Sequence, residues 1–470
     1  MTRNQKLCLY MLYGIGFLYF VFTMPSGMAE REVFNYVILL IAYVFTGVLG
    51  ISEFFRPNYY IFEPYTIVFA LYMIIMVIRP MLDIQTGDFF CHGKDVMDGC
   101  IKGTIVYMLS LAFFQLGYHA VFNKDVSRDS NNIIIVKPLG EYAEEEYTPR
   151  VRKICIVLWF FGFFMAIFFY IFTGRNPVTA LSLGMLSPAE EIGMIDSSVK
   201  FLMKLAFIMI IPWLYIIRFD KNNILKVFTT ILMLLHLIAM GSRYILIVAL
   251  VAWLIAPYVS EMRSFSFNKA LIIFAALLVG AGAMAYFRGD VRAGATIDMT
   301  GFSIKDVFYV FDSDFTIYRA YYCVVEGVPK LIDYQLGRGL IGYSLTSFLP
   351  SIIFPYKRNF DNVAEIVGTV VNERARMSGI AYINLGQFYA EFGVIGCIVC
   401  MFIFGAICRK LKELYLSKNR NLNKIILYSA MFPFLMQIII RGDLAQQLNS
   451  LIGIIPPYFV IKWFGRSKEA

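Results

Sequence analysis

Apolar residues in this chain come in long runs separated by short polar breaks, and the runs have about the length of membrane-crossing helices. A hydrocarbon core needs roughly 17–25 apolar residues per helix. Runs at 7–24, 33–51, 61–78, 101–122, 154–173, 200–217, 224–240, 244–260, 269–286, 381–408, 425–440 and 449–464 meet or approach that length. The pattern predicts an all-α, polytopic integral membrane bundle of about 12 transmembrane helices, with residues 1–470 as one transmembrane domain. Residues 7–24 follow Arg3 and Lys6 as a signal peptide would. No small-x-small cleavage site follows and further spans come directly after, so the run reads as a retained first helix.

Assigning every other break to one side collects the cations there. Those breaks hold Arg56, then Lys124, Arg128, Lys137, Arg150, Arg152 and Lys153, then Arg218, Lys221 and Lys226, then Arg263 and Lys269, then Arg409 to Lys424. By the positive-inside rule this is the cytoplasmic side, and both termini fall on it. The outer breaks are short turns, except for a large outer loop at 287–380 between the ninth and tenth spans. That loop alternates apolar stretches (308–325 and 340–354) with Arg, Asp and Pro, and Pro350 and Pro355 break the second stretch. Such alternation predicts interfacial helices, lying on or dipping into the membrane surface. The inner loop 123–153, with Glu144, Glu145 and Glu146, reads as a solvated connector. No internal repeat is evident.

Composition agrees with the pattern. Hydrophobic residues make up 59% of the chain and charged residues 16%, too few to cover the surface of a soluble fold. The net charge of +9 sits largely in short loops, so it reports topology and not nucleic acid, which is not an expected partner. Cys397 and Cys400 form a C-x-x-C inside a continuous apolar run without nearby His or Cys, which reads as neither metal nor redox site. Cys91 and Cys100 share one outer loop, and two readings stay open: a disulfide in an oxidising compartment, or two free thiols.

The candidate chemistry lies in the tenth span and among arginines on the outer side. Asn384, Gln387 and Glu391 recur at i, i+3 and i+7 and so share one helix face. Gly386, Ala390, Gly393 and Cys397 form a second face of small residues, suited to close helix packing. A carboxylate within a membrane helix must line a wet cavity or pair with a cation. Glu391 is therefore either a structural ion pair or a catalytic or substrate-binding group. Arg243 follows Gly241 and Ser242 in a tight outer turn. Arg288 ends the ninth span in Arg-Gly-Asp, with Arg292 just beyond, and Arg441 ends the eleventh span in a second Arg-Gly-Asp. In both triplets Gly lets the backbone turn at a helix end, and Asp290 or Asp443 can pair with the Arg. Any one of these arginines can be a snorkelling anchor. All three on the translocated side point to an anionic ligand, since guanidinium forks bind phosphate oxygens bidentately. His236 shares a face with Met240 and Arg243 and reads as a structural His or a base; His92 lies in an outer loop, His119 lies near the inner end of the fourth span, and the large outer loop has no His. There is no Walker loop, dinucleotide fingerprint, zinc spacing or D-x-D pair, so a sugar donor would be lipid-linked and no cofactor is expected.

Three stretches resemble the O-antigen and capsular oligosaccharide repeat-unit polymerases (Wzy-type). They are Gly241-Ser242-Arg243-Tyr244 opening a helix; Gly337-Arg338-Gly339 to Tyr343, then Phe348-Leu349-Pro350 to Pro355-Tyr356-Lys357-Arg358; and Ser378-Gly379 through Tyr389-Ala390-Glu391-Phe392-Gly393-Val394-Ile395-Gly396. The resemblance implies a metal-independent glycosyltransferase of the bacterial cytoplasmic (inner) membrane. Such an enzyme moves the growing chain from undecaprenyl pyrophosphate to the non-reducing end of a fresh lipid-linked unit, for O-antigen, capsule or exopolysaccharide. The expected partners are that lipid-linked oligosaccharide, membrane lipid, a chain-length regulator and a flippase. Related O-antigen ligases carry a His in the outer loop, and its absence here argues against a ligase.

On this reading Arg243, Arg288 and Arg441 stabilise the leaving pyrophosphate, with Arg292 and Arg376 as further contacts. Glu391 positions or deprotonates the acceptor hydroxyl, with Asp290 and Asp443 behind it. Tyr389, Tyr343 and Tyr356 stack on sugar rings or belong to the interfacial aromatic belt. Two rival classes remain: a lipid-oligosaccharide flippase, which repeats and a midplane site would favour, and a membrane acyltransferase, which would need His236 as base.

Overall fold

Apolar runs become helices here because lipid offers no hydrogen bonds to the backbone, so each spanning segment must satisfy its own N–H and C=O groups. The computed structural model describes residues 3–56, 59–120, 147–172, 205–239, 243–261, 315–346, 363–371, 381–416, 421–442 and 444–465. In chain order the helices are α1 (Arg3–Phe22), α2 (Glu30–Phe54), α3 (Pro64–Thr86), α4 (Met97–Ala120), α5 (Pro149–Phe172), α6 (Phe207–Phe219) and α7 (Asn223–Ala239). There follow α8 (Arg243–Glu261), α9 (Tyr318–Gly327), α10 (Val363–Val370), α11 (Asn384–Leu416), α12 (Leu422–Arg441), α13 (Leu444–Ser450) and α14 (Ile455–Phe464). Among the described residues the only strands are β1 (Phe90–Cys91) and β2 (Lys94–Asp95), a short antiparallel hairpin.

Six of these helices, α2 to α5, α11 and α12, are long and apolar enough to cross a membrane, and α1, α6, α7 and α8 carry shorter apolar helices. The expectation of twelve spans is therefore met only in part. The expected ninth span, 269–286, lies outside the described residues, as does most of the loop 123–153. The expected twelfth, 449–464, is not one helix. It is α13, a 3₁₀ turn at Leu451–Gly453, and the 10-residue α14 with proline in its first turn. Proline has no N–H to continue a helix, so a new one starts there.

Two long helices are locally irregular for identifiable reasons. In α3 a π-helical turn, Ile74–Ile78, precedes Pro80; the wider turn accommodates the ring of a proline that cannot donate to the residue four before it. In α11 the helix breaks at Phe392 and at Gly393, whose φ of 64° favours glycine. The small-residue face expected from Gly386 to Cys397 is thus interrupted at Gly393. The closest α11 packing comes further along: a Cβ on Gly405 would meet the Phe114 carbonyl of α4, and one on Gly117 of α4 would meet the Phe402 carbonyl. Small residues let helix backbones approach where lipid supplies no hydrophobic drive.

Two apolar cores result. One gathers α1 to α4 and α9 to α11; the other gathers α5 to α7 and α14; α8 and α12 contribute to both. Helix α9, from the large loop, was expected to lie at the membrane interface. It is instead buried: Tyr318, Tyr321, Tyr322, Cys323 and Val324 are fully enclosed. Gly99 and Gly103 of α4 make room for Tyr321 and Tyr322, and Arg319 is neutralised by Asp83 of α3 at 2.6 Å. Residues 336–345 fit the interfacial expectation better, because Leu336, Ile341 and Leu345 are exposed beside Arg338.

The bundle has two unlike ends. At one, Glu63 at the start of α3 accepts from Arg56 (2.7 Å), Lys412 (2.6 Å) and Tyr118 (3.1 Å), and Glu53 pairs with Arg56 (3.0 Å) and His119. Lys412 and Glu63 are 0% and 2% exposed. This is the knot end. The opposite, hairpin end carries β1 and β2, α9, the start of α11 and the end of α12.

Candidate functional site at the hairpin end

The first two turns of α11 carry the polar stripe, and all three of its side chains are buried. Asn384 accepts from the Tyr72 hydroxyl at 2.6 Å. Gln387 accepts from the backbone N–H of Leu444 at 3.0 Å and so caps α13. The carboxylate of Glu391, 1% exposed, accepts from the backbone N–H groups of Gly337 (2.7 Å) and Leu340 (2.9 Å). The break at Phe392–Gly393 frees carbonyls in the same place: Ala390 and Glu391 accept from the N–H groups of Gln335 and Leu336, both at 3.0 Å. One residue therefore holds the 336–340 segment by its main chain and its side chain. Gly337, at φ 89°, makes the turn that aims those amides inward. Among the described residues no cation pairs with the stripe; two of its three side chains are satisfied by backbone N–H groups of segments folded back onto α11.

Around this spine lie cations. Arg338 and Lys102 are exposed, and Lys102 Nζ sits 5.2 Å from the centre of the Tyr389 ring. Tyr389 is fully buried, with Tyr334 on its other flank. Its ring meets Lys102; the sequence leaves sugar stacking and the interfacial aromatic belt open for it. Arg441 is half-buried at the end of α12. Gly442 follows in a left-handed conformation at φ 65°, and a Cβ there would strike the Tyr382 carbonyl. The second Arg-Gly-Asp triplet is thus a helix stop made possible by glycine, as the sequence suggested. The acids of this end are largely engaged: Asp83 with Arg79 and Arg319, Asp88 with Arg319, Asp95 and Asp98 with Arg31, and Glu326 with Lys94.

Of the expected site residues, the structure brings Glu391, Tyr389 and Arg441 to one end of the bundle. Arg243 begins α8, but its side chain lies outside the described residues. Arg288, Asp290, Arg292, Arg376 and Asp443 lie outside them as well, as does Tyr356. His236 is buried beside Tyr170, 3.4 Å from its hydroxyl, and Phe207, in the second core. Lys102 and the Asp83–Arg319 pair escaped the sequence reading. Asp83 carried a signal, since an ionisable group continuing an apolar helix asks for a partner.

The profile of the O-antigen polysaccharide polymerase Wzy family aligns with residues 7–466. Neither the curated proteins nor the solved structures contain a match.

Proposed function

The chain belongs to the O-antigen polysaccharide polymerase Wzy family, multi-pass proteins of the bacterial inner membrane that polymerise lipid-linked oligosaccharide repeat units, and from that premise we propose how this chain does it. The growing chain leaves undecaprenyl pyrophosphate and joins the non-reducing end of a new undecaprenyl-pyrophosphate-linked unit. The hairpin end faces away from the cytoplasm, and both termini face inward. Transfer needs no metal: Arg441, with Arg243 and Arg288, stabilises charge on the departing pyrophosphate, and Arg292 and Arg376 add contacts. A chain-length regulator and a flippase act beside it.

The observation that carries this reading is the division of charge at the hairpin end. Among the described residues Asp83, Asp88, Asp95, Asp98 and Glu326 are ion-paired and Glu391 is held by backbone amides, while Arg338 and Lys102 are exposed, an arrangement suited to an anionic lipid headgroup. For Glu391 the bonds to Gly337 and Leu340 support an organising role. It holds the turn that carries Arg338, and the acceptor proton is assigned to Asp290 or Asp443. The buried, aromatic surroundings of His236 favour a structural role and weigh against an acyltransferase.

The test is reconstitution with purified lipid-linked repeat units in the presence of a chelator. A ladder of longer lipid-linked chains with release of undecaprenyl pyrophosphate is the expected result. No ladder, or a ladder abolished by the chelator, overturns the mechanism. In a strain lacking the protein, single repeat units capped on lipid should accumulate at the outer surface; units left facing the cytoplasm would indicate a flippase instead.

A further inference from the structure

One face of α9 is laid along the β-hairpin residue by residue. Arg319 donates to the Phe90 carbonyl at 3.0 Å and pairs with Asp88 at 2.9 Å. Glu326, two turns on, pairs with Lys94 at 2.8 Å. Cys323 lies between them at i+4 from Arg319, and its thiol is in hydrogen-bonding contact with that of Cys91, which lies between Phe90 and Lys94 on the hairpin. Helix periodicity and the hairpin's path thus bring two sulfurs together with charged contacts clamped on either side. Neither is in a disulfide in the structure, and both are buried. Cys100, which shares the loop with Cys91 and for which the sequence leaves pairing and a free thiol both open, faces Thr104, with 3.9 Å between sulfur and hydroxyl.

We propose that Cys91 and Cys323 are joined as a disulfide, which fastens α9 to the loop between α3 and α4. The proposal rests on the outward orientation of the hairpin end given above, because disulfides persist in oxidising compartments. The oxidant is a protein disulfide of the cell envelope. Exchange with it breaks the two S–H bonds and forms one S–S bond; the oxidant's disulfide takes up the two electrons and two protons and leaves as a dithiol. Because the folded pair is buried, exchange occurs while the hairpin is still open, and the closed structure then shields the bond from reductant. The cross-link spans a long stretch of chain, so it narrows the unfolded ensemble and holds the large loop in register with the bundle.

The experiment uses the full chain in its native membrane. Cells are quenched with N-ethylmaleimide, and the protein is denatured in the same reagent and digested without reductant. The expected result is a linked peptide pair containing Cys91 and Cys323 that separates with dithiothreitol. Cys91→Ser should remove the linked pair and leave Cys323 alkylated. In purified protein, dithiothreitol should lower the melting temperature of the wild type by several degrees and leave the Cys91→Ser/Cys323→Ser variant unmoved. Recovery of both cysteines as N-ethylmaleimide adducts overturns the proposal. Treating reduced, purified protein with diamide then locates the failure. No link with diamide means that the two sulfurs do not meet. A link with diamide alone means that the hairpin faces a reducing compartment, which impermeant labelling of Lys94→Cys in intact cells checks independently of polymerase activity.

Discussion

At the knot end Glu63 is buried against Arg56 and Lys412, whereas at the hairpin end Glu391 is buried against backbone N–H groups. Both carboxylates are held inside the protein, and each solution has its own consequence. An ion-paired carboxylate neutralises its cations and closes α2, α3, α4 and α11 into one unit. Such a cluster is costly to desolvate and fails badly when one partner is removed. A carboxylate bound by amides neutralises no cation. It shapes the backbone and leaves nearby guanidinium and ammonium groups, Arg338 and Lys102, at the surface. The first arrangement suits a structural anchor, and the second suits a surface that must receive negative charge.

The sharpest way to break this comparison is at the knot. Lys412→Met leaves Glu63 buried beside a reduced set of cations and should cost about 3–5 kcal/mol, read as lost folded yield and a lower melting temperature. Adding Glu63→Leu should restore most of it, since an apolar pair can replace a buried ion pair. Specific activity of the double variant should stay near wild type; a large drop would mean that the knot does more than hold helices.

At the hairpin end, Arg441→Ala should lose about 2–4 kcal/mol of transition-state stabilisation while the protein still accumulates in the membrane. Arg441→Lys should recover only part of it, because the fork is lost. Polymer of full length from Arg441→Ala would remove this residue from the proposed clamp.

Glu391→Gln sharpens the contrast between organiser and base. The amide replaces one acceptor oxygen with a donor that faces a backbone N–H, at about 1–3 kcal/mol. Activity per folded molecule should fall by roughly tenfold, about 1.4 kcal/mol, with the shape of its pH profile unchanged. Loss of the acidic limb of that profile would make Glu391 the base after all.

The smallest expected effect concerns a third carboxylate, Asp220, between α6 and α7. Burial alone would raise its pKa, but the hydrogen bond and charge of Arg152, at 2.6 Å, bring the carboxyl below its usual range. Its contribution is therefore present above the usual carboxylate pKa of about 3.9 and is lost as pH falls through the lowered folded value. Arg152 is partly exposed, so Asp220→Asn should cost about 1 kcal/mol or less at neutral pH. The melting temperature of that variant should fall less steeply than wild type over the acid range; equal slopes would show that the pair carries no stability.

Local patterns were readable without the fold, and they held where the physics is local. The apolar runs marked the six long spans because the bilayer requires a minimum length of apolar helix from each one. The i, i+3, i+7 spacing placed Asn384, Gln387 and Glu391 on one face because a helix repeats every 3.6 residues. Gly442 was recognisable as a helix stop because its freedom at positive φ is intrinsic to glycine. What those residues meet was decided only by the tertiary structure. Glu391 lands on the amides of a turn 51 residues earlier, Lys412 on a carboxylate 349 residues away, and Arg319 on Asp83 across 236 residues. The stretch 308–325, which holds most of α9, reads as interfacial because apolar runs there alternate with Arg, Asp and Pro. Helix α9 is buried because Gly99 and Gly103 open a seat for it and Asp83 neutralises its charge. For Cys91 and Cys100 the sequence leaves a disulfide and two free thiols equally open, and the packing of α9 brings Cys323, not Cys100, to Cys91. Spacing along a chain determines which face a side chain occupies; which partner waits at that face depends on how distant segments pack, and no local period carries that information.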